Sequence, residues 1–156
     1  MYKKILLAID GSENSDRATK KEKKKKKIFN AEVIAFHAVE YHKIPKIMPL
    51  PMPYNTSYSY AIAAHDQELI RKQMLESGET LIKKTTEDFN DAGVEVDARL
   101  VEFNSPEDYA LKQVEEENID LIILGCKGHS KLKRVFLGSV AEKLVNEASC
   151  DVLVVR

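Results

Sequence analysis

Short apolar runs of strand length alternate, from one end of the chain to the other, with stretches whose apolar residues recur at helical spacing. This rhythm constrains the fold more than any other feature. Residues 4–9 and 31–39 are continuous runs rich in Ile, Leu, Val and Phe, as strands buried on both faces require. Val94, Val96, Ala98 and Leu100 recur at period two, and residues 121–124 and 152–155 supply a fourth and a fifth strand. Between the second and third, Leu69, Ile70, Met74, Leu81, Ile82, Thr85 and Phe89 repeat every three or four residues, predicting a helix over 62–92 that stops at Gly93. Ser105-Pro106-Glu107-Asp108 announces another helix, to about 117: a capping serine, proline in the first turn, and two carboxylates at the positive end of the dipole. A third is expected over 139–148, with Val140, Leu144 and Val145 as its buried stripe. Strands alternating with helices predict an α/β fold: an open five-stranded, mainly parallel sheet with helices on both faces and right-handed crossovers, its order taken to be 3-2-1-4-5.

At 156 residues the chain is one domain's worth, 1–156. No apolar run approaches the roughly 20 residues needed to cross a bilayer, and the opening run has no small-residue cleavage site behind it. Cys126 and Cys150 form no CxxC pair, which fits a reducing, cytoplasmic setting. The net charge of -1 hides a run at 20–27 of seven lysines and one glutamate; without it 17 basic residues face 24 acidic ones, a net of -7. So acidic a body is a poor general binder of nucleic acid, because phosphate neutralisation by Lys and Arg supplies most nonspecific affinity. The run occupies the first crossover, where helical spacing turns Lys21, Glu22 and Lys25 toward the sheet. It is either a solvated helix whose lysines snorkel or a basic patch for an acidic partner or membrane surface. The segment at about 41–60 is rich in Pro, Met and Tyr and cannot be helix or central strand throughout, leaving a loop or lid.

The sharpest signal for chemistry is the spacing Gly125-x2-Gly128-x9-Gly138-Ser139 at the carboxyl end of the fourth strand. Glycine lets backbone approach a ligand closely, and a Gly-Ser pair entering a helix leaves N–H groups and a hydroxyl aimed one way, as a phosphate cradle requires. Two ordinary turns would also satisfy the same pattern. In an open parallel sheet the ligand crevice lies where the strand order reverses, here between the first and fourth strands. Asp10 ends the first strand there, either to accept hydrogen bonds from a ribose or to cap the following helix through Asp10-Gly11-Ser12.

These residues resemble the universal stress proteins over essentially the whole chain. The likeness rests on Ala8-Ile9-Asp10-Gly11-Ser12, on Phe36-His37-Ala38-Val39, on the glycine-serine signature and on the closing Asp151-Val152-Leu153-Val154-Val155. In the family's ATP-binding branch that signature is the nucleotide site, on a Rossmann-like α/β fold. The resemblance implies that Asp10 contacts the nucleoside and Ala38 offers backbone to the adenine edge. It places Gly125, Gly128, Gly138, Ser139 and Val140 around ribose and phosphates, with Lys127, His129 and Lys131 as neighbours. It further implies a homodimer through the last strand, Val152 to Val155. The lysine run departs from the family pattern, in which the first helix turns Ala and Leu to the sheet.

No catalytic set accompanies the cradle. The P-loop ending Gly-Lys-Ser/Thr and the Gly-x-Ser-x-Gly elbow are both missing, and His37, His42, His65 and His129 show no metal-ligand spacing with the cysteines. Cys126 beside Lys127 is a passive loop cysteine or a redox-sensing thiol. The expectation is a cytoplasmic ATP-binding stress-response switch, binding ATP or ADP with Mg2+ bridging the phosphates. A dimeric scaffold without nucleotide and an adenylate-forming enzyme are the alternatives, since fold alone does not decide function.

Overall fold

A computed structural model describes residues 2–12, 15–16, 19, 31–41, 56–102, 105–126 and 137–156, with 56–63 described by backbone alone. Five strands, β1 (Lys4–Ala8), β2 (Glu32–Val39), β3 (Asp97–Glu102), β4 (Leu121–Gly125) and β5 (Asp151–Val155), form one parallel sheet in the order β3-β2-β1-β4-β5. Ile5 sits in register with Val33 on one side and Leu121 on the other, so β1 is the centre of the sheet. Three helices have described bounds: α1 (Thr56–Asp91), α2 (Pro106–Glu117) and α3 (Ser139–Glu147). Ser15, Asp16 and Thr19 are helical too, in the crossover between β1 and β2, while the lysine run lies outside the described residues.

Both faces of the central strands are buried, which is why their sequences show no polar alternation. Ile5, Leu7, Val33, Ala35 and Ile123 pack with Phe89 of α1 on one face. Leu6, Ile34, Phe36 and Ile122 pack with Tyr109 and Val114 of α2 and Leu144 of α3 on the other. Each such aliphatic side chain contributes about 1.5–3 kcal/mol by leaving water.

The helix ends follow their local chemistry. Ser105 Oγ accepts the Asp108 amide at 3.2 Å at the start of α2, as its sequence predicts. At the end of α1 the Gly93 amide donates to Asn90 O (2.8 Å) and the Val94 amide to Phe89 O (3.0 Å), with Gly93 at φ 68°. This is the Schellman arrangement, and Val94 seals it by packing in the same cluster as Phe89. Val94 is therefore buried as part of a helix stop, and β3 begins three residues later than its period-two alternation suggests.

Other differences are of extent and phase. α1 starts at Thr56, so the last five residues of the expected 41–60 loop are helical; no proline follows Pro53 to prevent it. At 1.5 Å per residue its 36 residues reach about 54 Å, well over the length of any strand. The stripe from Gly78 to Phe89 covers the sheet, while Leu69 remains 49% exposed. In α3 the buried positions are Ala141 and Leu144; Val145, expected inside, is 48% exposed because it lies one residue, about 100° of helix, from Leu144.

Gly78 permits the close seating of α1. A Cβ there would lie 2.6 Å from Leu100 Cδ1 and 3.2 Å from His37 Cδ2, so any other residue pushes the helix or its neighbours apart.

Candidate functional site

Beyond the carboxyl ends of β1, β2 and β4 the helices part around a cleft of about 1040 Å3, large enough for a nucleotide-sized ligand. The chain winds to one side of the sheet after β1 and to the other after β4, so this is the switch point at which open α/β sheets bind. Of the residues singled out in the sequence, Asp10, Ala38, Gly125, Gly138, Ser139 and Val140 all line it. Lys127, Gly128 and His129, and the more distant Lys131, lie outside the described residues.

The β1 end is built by short polar side chains. Asp10 Oδ1 accepts the Ser12 amide at 2.9 Å, Ser15 Oγ accepts the Asp10 amide at 3.0 Å, and Ser12 Oγ accepts the Ser15 amide at 3.3 Å. The Asp16 amide then donates to Ser12 O at 2.9 Å, which starts the helical turn. Asp10 thus holds the turn and borders the cleft at once, and the two roles weighed for it are compatible. Gly11, at φ 76°, makes the turn possible without strain.

The β4 end is built from backbone. The Cys126 amide donates to Val155 O and the Gly138 amide to Cys126 O, both at 2.8 Å, which anchors the start of α3 against the sheet. Gly138 therefore presents a bare Cα to the cleft, its own amide being taken. Among the described residues no side chain caps α3, and its ladder starts only where the Glu142 amide donates to Gly138 O. The amides of Ser139, Val140 and Ala141 are left without helical partners, on three residues that all line the cleft, and the helix dipole makes that end electropositive. Lys143 Nζ, 2.7 Å from Asp108 Oδ1, ties α3 to the first turn of α2 beside it and holds the Asp108 carboxyl below its usual range.

The remaining wall was not read from the sequence. Ile70, Gln73, Met74, Ser77 and Leu81 of α1 line the cleft at spacings of three and four, together with His37 and Glu40 from β2 and its end. The signal was present: the apolar stripe of α1 continues well past what five- to eight-residue strands can cover. Asp10 and Glu40 put carboxylates at the β1–β2 end, while amides with no partner among the described residues mark the α3 end. Such a cleft can take a ligand with hydrogen-bond donors at one end and an anion at the other.

Fold and site together define a doubly wound α/β protein with a cleft at its switch point. The chain belongs to the universal stress protein family, which it matches over residues 1–156. Universal stress protein MJ0531 of Methanocaldococcus jannaschii is 33% identical over 156 residues, spanning 100% of this chain and 83% of that one. Universal stress protein MJ0577 of the same organism is 30% identical over 158 residues, 100% of this chain and 96% of that one. The solved structure of MJ0577 superposes with a TM-score of 0.75 at 27% identity, covering 99% of this chain and 96% of the other. The universal stress protein from Archaeoglobus fulgidus in complex with dAMP shares the fold at a TM-score of 0.61 and 18% identity, covering 99% and 98%.

Proposed function

We propose that this protein is an ATP-binding stress-response module of the cytoplasm, a nucleotide-dependent switch with at most slow hydrolysis. The observation that carries the reading is the polarity of the cleft. Among the described residues no group bonds the first three main-chain amides of α3, which would receive the phosphates, and Asp10, Glu40 and the backbone of Ala38 line the part of the cleft that would take ribose and base. Phe36, Ile70, Met74 and Leu124 supply apolar surface for the base between them. The dAMP held by the A. fulgidus protein, on the same fold, supports an adenine nucleotide as the ligand class.

Mg2+ would accompany the nucleotide, neutralising phosphate charge that amide dipoles alone leave unbalanced. A homodimer through β5 completes the proposal. Val152, Leu153 and Val154 are half-buried on an edge strand, which in a parallel sheet offers unpaired backbone to a second copy.

Acid extraction of the purified protein, followed by calorimetry with Mg-ATP, tests the reading. Co-purified ATP or ADP, or saturable binding, is expected. No nucleotide and no heat at millimolar Mg-ATP would favour a scaffold, and pyrophosphate release upon adding acceptors would favour an adenylate-forming enzyme.

A further inference from the structure

His37 lines the cleft from the end of β2, and its ring is held on two sides. Nδ1 lies 2.8 Å from the carbonyl oxygen of Ile9, at the end of β1. A carbonyl only accepts, so Nδ1 carries the proton in this bond, and the neutral ring has its lone pair on Nε2. The opposite edge of the ring faces α1 at Gly78, where even a single Cβ would come within 3.2 Å of Cδ2. The imidazole is thus fixed in place and in tautomer, and among the described residues nothing bonds Nε2. Gln73 and Ser77 of α1 line the same wall.

We propose that His37 is a specificity-determining residue, accepting through Nε2 a hydrogen bond from an N–H or O–H donor on the nucleoside half of the ligand. This rests on the nucleotide reading of the cleft. It follows from position: the anion-receiving amides belong to α3, beyond β4, whereas His37 stands at the β1–β2 end with Asp10 and Ala38, where the uncharged half of a nucleotide would sit. A preset acceptor rewards a donor and rejects a group that only accepts or is missing, by a factor of about 3 to 10 for a neutral bond.

The test is calorimetric titration of wild type and His37→Asn with Mg-ATP, Mg-ITP, and the 2′- and 3′-deoxy forms of ATP. Asparagine retains an N–H near the Nδ1 position to satisfy the Ile9 carbonyl but has nothing at Nε2. Wild type should bind one analogue about 3- to 10-fold more weakly than ATP; ITP would identify the base amine as the donor and a deoxy form the ribose hydroxyl. His37→Asn should lose a similar factor on ATP and discriminate against that analogue no longer. Equal discrimination by the variant, or none by wild type, overturns the proposal. Should the variant not fold, the imidazole 15N shifts of wild type decide: Nε2 should move on ATP binding while Nδ1 keeps its proton, and an unmoved Nε2 overturns it. Failure of wild type to bind any nucleotide would remove the nucleotide reading itself, whereas normal ATP binding with unchanged selectivity removes only the role of His37.

Discussion

Replacing Gly78 with alanine separates helix propensity from packing. In an exposed helix interior the change would stabilise by about 1 kcal/mol. Here the new Cβ would land 2.6 Å from Leu100 Cδ1 and 3.2 Å from His37 Cδ2, inside any normal contact, and overpacking of this kind costs about 1–3 kcal/mol. Leu100 is half-buried and its methyl is the far end of a flexible side chain, so the cost belongs toward the lower part of that range. The net expectation is a change between zero and about 2 kcal/mol of destabilisation. Urea unfolding followed by circular dichroism measures it, with an unchanged slope confirming that the same surface is exposed. Truncating Leu100 to alanine removes the nearest obstacle. In that background Gly78→Ala should turn stabilising, giving a coupling of at least about 1 kcal/mol. A gain of about 1 kcal/mol in the wild-type background, or zero coupling, would refute the close seating of α1.

Three further outcomes are expected. Glu117 bonds the Arg99 guanidinium and lies 3.5 Å from Lys4 Nζ, and the Arg99 bond first, then the two charges, hold its carboxyl below the usual 4.5. Its stabilisation is complete above the unfolded-state value and disappears as pH falls through the lower folded one. The stability difference between wild type and Glu117→Gln should therefore be constant from neutral pH to about 4.5 and shrink below it; a difference that persists to pH 2 by denaturant titration contradicts the pairing. Asn118 ends α2 in the left-handed region, at φ 54°, so Asn118→Ala should cost about 1 kcal/mol and Asn118→Gly little or nothing; equal Tm shifts would exclude that explanation. The proposed dimer through β5 predicts a dimeric wild type and a monomeric Leu153→Lys by sedimentation velocity; a monomeric wild type, or a variant that stays dimeric, would contradict it.

The strands were legible because β1, β2 and β4 are buried on both faces and can tolerate few polar residues. The order of the sheet was a supposition that alternation alone does not fix, and the strand pairing bears it out. What stayed hidden depended on tertiary distance. Val94 looks like a strand residue until the Schellman turn is seen, and Val145 looks like core because a stripe read from sequence is uncertain by one position. The glycine-serine signature located the mouth of the cleft, yet it did not reveal that the Gly138 amide is taken by Cys126 while the next three have no partner among the described residues. His37 was invisible as a site residue, since its significance comes from a bond to Ile9 and from a glycine 41 positions further along the chain.

The amides of Ser139, Val140 and Ala141 are the proposed receivers of a nucleotide's phosphates. Amide resonances of 15N-labelled protein, recorded with and without Mg-ATP, address this directly. Large downfield shifts and slowed hydrogen exchange at these three positions, with smaller changes for adenosine alone, are predicted. ATP that binds tightly while leaving all three amides unshifted would mean that the phosphates sit elsewhere than at the start of α3.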